Sequence, residues 1–185
     1  GQLHFDAGRL EAARVAAEAS QRLDPFAPRP WFLLARALLE LGEDEEADNA
    51  HARFKSLERT AQEVRTLEGR LLYRPDQASL YARLVELHVA MMNQGGTHRA
   101  LQRWGAFDPD GVEPRLAALA AWEMLKRPKE AKSAAAGLSQ VAGDSVDAWA
   151  ALARYYRVTR DRVNQVSAEQ RWLELSRASA TDAGE

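Results

Sequence analysis

Apolar residues recur every three or four positions along this chain, which is the periodicity of an amphipathic helix. One such segment runs from Leu10 to Leu23 and stops before Pro25, because proline cannot continue the helical hydrogen-bond ladder. The next segment begins near Pro30 and ends at a turn around Gly42. The pattern predicts an all-α protein whose helices are separated by turns at glycine and proline.

The third helical segment is unusually long. Its apolar residues continue at helical spacing through Ala47, Ala50, Phe54, Leu57, Ala61, Val64 and Leu71. This predicts one helix near residues 44–72, stopped by Pro75, which would span roughly 40 Å at ~1.5 Å per residue. Two interpretations remain open: the extra turns pack on the next helices, or they form a coiled-coil arm for a partner.

Equivalent residues recur at fixed distances along the chain. Pairs that are 34 residues apart are Gly8 and Gly42, Phe5 and Leu39, and Ala13 and Ala47. Pairs that are 68 residues apart are Tyr81 and Trp149, Leu84 and Leu152, His88 and Tyr156, Ala100 and Ala168, and Trp104 and Trp172. The chain is therefore built from internal repeats, and the repeats at the two ends of the longer interval share one design.

The repeated residues resemble the tetratricopeptide repeat (TPR) family. The family motif of Trp, Leu, a small residue and a large apolar residue is matched by Trp31, Leu34, Ala35 and Leu38, and by Trp149, Leu152, Ala153 and Tyr156. Small residues suit such positions because paired helices approach closely there. The resemblance implies a right-handed α-solenoid of antiparallel helix pairs with about four to five repeats.

The resemblance makes residues 1–177 a single solenoid. Its repeats would lie at about 1–27, 28–75, 76–110, 111–143 and 144–177. In the first repeat, half a helix around His4 and Phe5 would precede a turn at Asp6, Ala7 and Gly8. The fourth repeat is degenerate, and Pro128 opens its second helix. Residues 178–185 are small and polar and are expected to form a flexible tail.

Neither end of the array carries an evident cap. A terminal solenoid repeat needs a polar outer face where it meets water, and no amphipathic helix follows Trp172 and Leu175. We therefore expect that the chain is a piece of a longer protein or that a partner covers one end. A second copy of the chain is one such partner, which would give a homo-oligomer assembled through uncapped ends.

Charge and composition narrow the class of partner. The 25 basic and 27 acidic residues are interleaved and give a net charge of −2, which argues against nucleic acid. No apolar run approaches the ~18 residues of a membrane helix, and the segment shows no targeting signal. The absence of cysteine leaves the cytoplasm and a bacterial periplasm or cell envelope both open. The 21 arginines against four lysines are typical of a GC-rich bacterial coding sequence.

The polar residues suggest no catalytic, metal or cofactor site. The histidines form no HExxH pattern, and His51 and His88 occupy aromatic packing positions of their repeats. Residues 93–97 lack the lysine and the preceding strand of a phosphate loop and are interpreted as an inter-helix turn. The five tryptophans fall on packing faces, so we interpret them as core residues. We expect no enzyme activity and no cofactor in this segment.

What remains is a surface for recognition. In the resembling family, the inner faces of the first helices line a concave groove that takes peptides or another protein's helix. The groove candidates in that register are Arg29, Phe32, Arg36, Leu39, Arg83, Glu86, Ala150, Arg154 and Arg157. Arginine binds carboxylates in bidentate fashion, so an acidic peptide or a C-terminal carboxylate is the expected ligand, unless these side chains are solvated charges on a helical face. Phe32 and Arg36 stand where chaperone-tail adaptors carry Lys and Asn, which argues against that role.

Two classes of function follow from the repeats. The first is a non-catalytic protein–protein interaction scaffold that binds a partner through the concave groove or the uncapped ends, within a larger bacterial assembly. The alternative is an accessory or spacer domain of a multidomain enzyme or cell-envelope machine whose chemistry lies outside these residues.

Overall fold

The computed structural model describes the backbone of residues 7–182 and the side chains of residues 9–179. Over residues 7–182 it contains nine α-helices and no strand, which confirms the all-α prediction. The helices are α1 (Ala7–Leu23), α2 (Pro28–Leu41), α3 (Asp44–Tyr73), α4 (Ala78–Ala90), α5 (Gln94–Phe107), α6 (Val112–Met124), α7 (Pro128–Val141), α8 (Val146–Thr159) and α9 (Arg162–Asp182). The long helix predicted near 44–72 is α3, which has 30 residues.

The chain divides into two compact units within α3: residues 1–69 form unit 1, and residues 70–185 form unit 2. The core of unit 1 is small and rich in alanine, and half-buried Trp31 packs against it. Its buried members are Ala17, Leu34, Ala35, Leu38, Ala47 and Ala50. Alanine at these positions lets the three helices approach one another closely.

Unit 2 consists of the end of α3 and three helical hairpins, α4–α5, α6–α7 and α8–α9. Each first helix packs on its own second helix and on the hairpin that precedes it. Large aliphatic side chains fill this core, and those that are almost completely buried are Leu71, Leu84, Leu119, Leu138 and Leu152. The hairpins therefore stack on one another through leucine rather than alanine.

The turn inside each hairpin repeats the same backbone conformation. A residue with positive φ follows the first helix, at Gly42 after α2 and at Met92, Lys126 and Arg160 in unit 2. The three unit 2 residues are 34 positions apart. The next residue donates its N–H to a carbonyl five residues back, at 2.8 Å from Asn93 to His88 and 2.9 Å from Asp161 to Tyr156. This is the Schellman motif, and it recurs even in the degenerate repeat.

A second repeated feature joins each first helix to the loop before it. The Nε1 of Trp31 donates to the carbonyl of Pro25 at 3.0 Å, and that of Trp149 donates to Gly143 at 2.9 Å. In the degenerate repeat Arg115 occupies the tryptophan position and donates to the Pro109 carbonyl at 2.7 Å. The guanidinium thus replaces the indole as the donor, although the motif itself is lost.

Three local predictions compare differently with the structure. The half-helix around His4 and Phe5 lies outside the described residues. Residues 94–97 are the first turn of α5 rather than an inter-helix turn, because the Asn93 side chain caps this helix by accepting from the Gly96 N–H at 2.8 Å. At the other end α9 continues to Asp182, into the segment expected to be a tail.

Candidate partner-binding groove

An open groove of about 520 Å³ lies between α1 and α2 in unit 1, and we call it the α1–α2 groove. Its apolar lining comes from both helices: Leu10, Ala13, Ala16, Ala17, Pro30, Leu33 and Ala37. The alanines leave space beside the helices, and Leu33 is 45% exposed within it. Ser20 and Glu40 complete the lining together with two arginines. This is a surface that could receive an apolar side chain of another molecule.

The two arginines of the α1–α2 groove are Arg29 and Arg36, both exposed. They lie seven residues apart on α2, which is about two turns, so they share one face of the helix. Within the described part of the chain no carboxylate comes within 4.0 Å of either guanidinium group. Both can therefore bind a carboxylate of another molecule without breaking an internal ion pair.

The other two candidates on α2 lie apart from the groove lining. Phe32 packs its ring against Phe54 of α3, with ring centroids 5.3 Å apart, and it remains 38% exposed. Leu39 is 61% exposed and does not line the groove. The structure thus brings together Arg29 and Arg36 but not the four predicted residues of this helix.

In unit 2 the predicted arginines bind the chain's own carboxylates. Arg83 lies 3.1 Å from Glu86, itself one of the candidates, on the next turn of α4. Arg154 of α8 reaches Glu123 of α6 at 2.8 Å. Ala150, the remaining candidate of α8, is half-buried. These positions therefore differ chemically from the two arginines of unit 1.

The fourth arginine of this group, Arg157, donates to Glu169 of α9 at 2.7 Å. That hydrogen bond, joined by a second from Gln165, holds the pKa of Glu169 below its ordinary value. The carboxylate is thus stabilised in its charged form by its own hairpin. An external acidic group would have to displace Glu169 before it could bind this guanidinium.

Sequence reasoning missed the alanine floor of the groove. Ala13, Ala16 and Leu33 follow ordinary helical spacing, so nothing in their pattern separates a groove from a core. The signal that was available is the repeat register, which makes α1 the second helix of a pair. A second helix whose partner is not beside it leaves an apolar face open.

Metal and membrane chemistry gain no support from the described residues. Among them, no three or more His, Asp or Glu side chains are grouped so that they could hold a metal ion. No helix within residues 7–182 is both long and apolar enough to cross a bilayer.

Solved structures of MamA, a TPR-like helical repeat protein, share this architecture. The MamA RS-1 ArsTM double mutant aligns over 94% of this chain and 89% of its own, with a TM-score of 0.53 and 15% sequence identity. The chain has a TPR-type fold. A crystal structure of MamA covers 94% of this chain and 92% of its own, with a TM-score of 0.49 and 16% identity. No family model and no curated protein matches the sequence.

The TPR-type arrangement explains the position of the groove. In unit 2, α4 lies beside α5 and α6, which are the second helix of its own pair and the first helix of the next pair. α1 and α2 have the same relation in unit 1 as α5 and α6 in unit 2. The α1–α2 groove is therefore the unit 1 counterpart of the place that α4 fills in unit 2.

Proposed function

We propose that this chain is a non-catalytic scaffold that binds a protein partner in the α1–α2 groove, within a larger assembly. The observation that carries the proposal is the combination of an open apolar lining with two unpaired arginines, Arg29 and Arg36. Contiguous apolar surface rimmed by polar groups is typical of protein interaction sites, because burying it releases water. The coarse role of interaction scaffold also fits the TPR-type fold.

The groove is a better candidate than the arginines of unit 2. Arg154 and Arg157 already bind Glu123 and Glu169, so a new carboxylate would gain little there. The α1–α2 groove combines an apolar lining with charges that have no internal partner. Affinity from apolar burial and selectivity from charge would then arise at the same site.

Cross-linking followed by mass spectrometry tests the proposal. The chain would serve as bait in an extract of the cells that encode it, as wild type and as two charge-reversed variants. We expect Arg29→Glu with Arg36→Glu to reduce capture of a stoichiometric protein by about tenfold or more. The matched control, Arg154→Glu with Arg157→Glu, should retain capture, and circular dichroism should show both variants helical.

The opposite pattern would contradict the proposal. Loss of capture in the Arg154 and Arg157 variant alone would move the site to unit 2. Capture of no protein by the wild type would favour the spacer function, in which the chemistry belongs to other parts of the assembly.

A further inference from the structure

We infer that the occupant of the α1–α2 groove is an amphipathic α-helix of a partner protein, with acidic side chains seven residues apart that face Arg29 and Arg36. This inference rests on the proposed scaffold function and specifies the chemistry of its ligand. It follows from the repeat architecture, the backbone chemistry of the groove and the spacing of its charges.

The fold itself shows what fits between a second helix and the next first helix. In unit 2, α4 lies against α5 and α6, and α6 lies against α7 and α8. Both positions are filled by a helix. The counterpart in unit 1 is bordered by α1 and α2 and has the same kind of wall, built of alanine and leucine. A helix from another protein would complete the same three-helix arrangement.

Backbone chemistry favours a helix over an extended peptide. The groove walls are two α-helices whose mid-helix N–H and C=O groups are already bonded within each helix. An extended peptide would leave its own backbone groups without partners against the alanine floor, and unpaired buried backbone groups are costly. A helix satisfies those groups internally and presents only side chains to the groove.

The dimensions set the length of the bound helix. The lining extends from Leu10 to Ser20 on α1 and from Arg29 to Glu40 on α2. At ~1.5 Å per residue each wall is about 15 to 17 Å long, which corresponds to roughly three turns of a bound helix. Large apolar side chains of the partner would fill the spaces that the alanines leave.

The charges set the sequence pattern of the ligand. Arg29 and Arg36 are separated by about 10 Å along α2, because seven residues rise by that amount. A helix lying alongside α2 meets both arginines when its Asp or Glu residues are also seven apart. A basic residue on the following turn of the partner would face Glu40, the third charged group of the lining.

A display library of ~18-residue amphipathic helical peptides with randomised surface positions tests this inference when selected on the full chain. We expect enriched peptides that are helical when bound and carry acidic residues seven apart. The Arg29→Glu, Arg36→Glu variant should weaken them by about tenfold or more, and peptides with lysine at the acidic positions should recover binding to it.

A steric variant separates the groove from its surroundings. Ala16 is exposed and lines the groove, so Ala16→Trp fills the space without disturbing the core. Ala19 is exposed on α1 but does not line the groove, and Ala19→Trp is the matched control. We expect the first variant to abolish binding of the enriched peptides and the second to leave it unchanged.

Several outcomes would overturn the inference. They are an absence of enrichment, enriched peptides that are extended or lack the acidic pair, and binding that survives Ala16→Trp. Enrichment only after deletion of residues 1–6 would assign the groove to this chain's own segment. Self-association that Ala16→Trp abolishes would assign it to a second copy. If the native partner is still captured through Arg29 and Arg36, the scaffold function stands while the helical ligand fails.

Discussion

At the scale of single residues, Gly96 shows how a small side chain can be required by one neighbour. It lies in the first turn of α5, where a Cβ atom would collide with the ring of His88 from α4. His88 is only 4% exposed, so it has little room to move. Its burial agrees with the interpretation of this histidine as a packed core residue. The sequence could not reveal why glycine stands opposite it, because the contact joins two helices.

Replacing Gly96 by alanine should therefore destabilise the protein. Overpacking of this kind costs about 1–3 kcal/mol, which outweighs the gain in helix propensity. Gly105 on the same helix is the matched control, since a Cβ there meets nothing within 4 Å. Gly105→Ala should stabilise by up to about 1 kcal/mol. Urea unfolding of both variants measures the difference, and equal effects would refute the steric explanation.

The ion pair between Arg157 and Glu169 makes a prediction about pH. Because the folded-state pKa of Glu169 is lowered, the pair stabilises the fold above the carboxyl's unfolded-state pKa of about 4.3, and this stabilisation is lost as the pH falls through the folded-state pKa. In Arg157→Ala the pKa of Glu169 should rise towards its ordinary value. A carboxyl-carbon NMR titration measures it, with Arg154→Ala as control. An unchanged pKa in Arg157→Ala would exclude the pair as its cause.

At the scale of helices and turns, the left-handed residue after each first helix is the most regular feature of the chain. Gly42 adopts it with φ of 80° at no steric cost, whereas Arg160 adopts it with φ of 60° despite its side chain. The same turn is thus relaxed in one repeat and strained in another. Only Gly42 could be identified from the sequence, since arginine gives no turn signal.

Exchanging the two residue types should shift stability in opposite directions. Gly42→Ala should destabilise by about 1–2 kcal/mol, because a Cβ there contacts nothing and the penalty comes from the backbone alone. Arg160→Gly should stabilise by up to about 1 kcal/mol as the strain is relieved. Thermal unfolding measures both shifts. If both variants moved the melting temperature in the same direction, the strain argument would be wrong.

Helix existence was predictable, whereas helix starts and the groove were not. The periodicity from Ala47 to Leu71 was long enough to establish α3 as one helix. The glycines after Asn93 suggested a loop, yet the Asn93 cap places them inside α5. In the groove, the register pointed to Arg29 and Arg36, but spacing alone does not show which arginines find internal partners. That difference depends on contacts between helices distant in sequence.

At the scale of the whole molecule, the two units differ in what they bury. Unit 1 relies mainly on alanines and a few leucines, and its largest groove is open. All five of the almost completely buried leucines among the described residues belong to unit 2. Since apolar burial is the main stabilising contribution, the helices of unit 1 should open at lower free energy. A binding site on the less stable unit would gain order when its partner arrives.

Amide hydrogen exchange followed by mass spectrometry tests this expectation. In the free chain, α1 and α2 should exchange faster than α6 and α8. Addition of a helical peptide selected on the groove should slow exchange in α1 and α2 and leave α8 unchanged. Protection of α8 instead would place the binding site in unit 2.

Site-specific photo-cross-linking tests the central claim most directly. A photoreactive amino acid would be placed at Ala16, which lines the α1–α2 groove, or at Ala19, which lies on the same helix outside it. In extract of the source cells we predict one stoichiometric partner cross-linked from position 16 and not from position 19. Its attachment site should lie in an amphipathic helix with an acidic pair, and the product should disappear in Arg29→Glu with Arg36→Glu. Equal products from both positions, or none from position 16, would contradict the account.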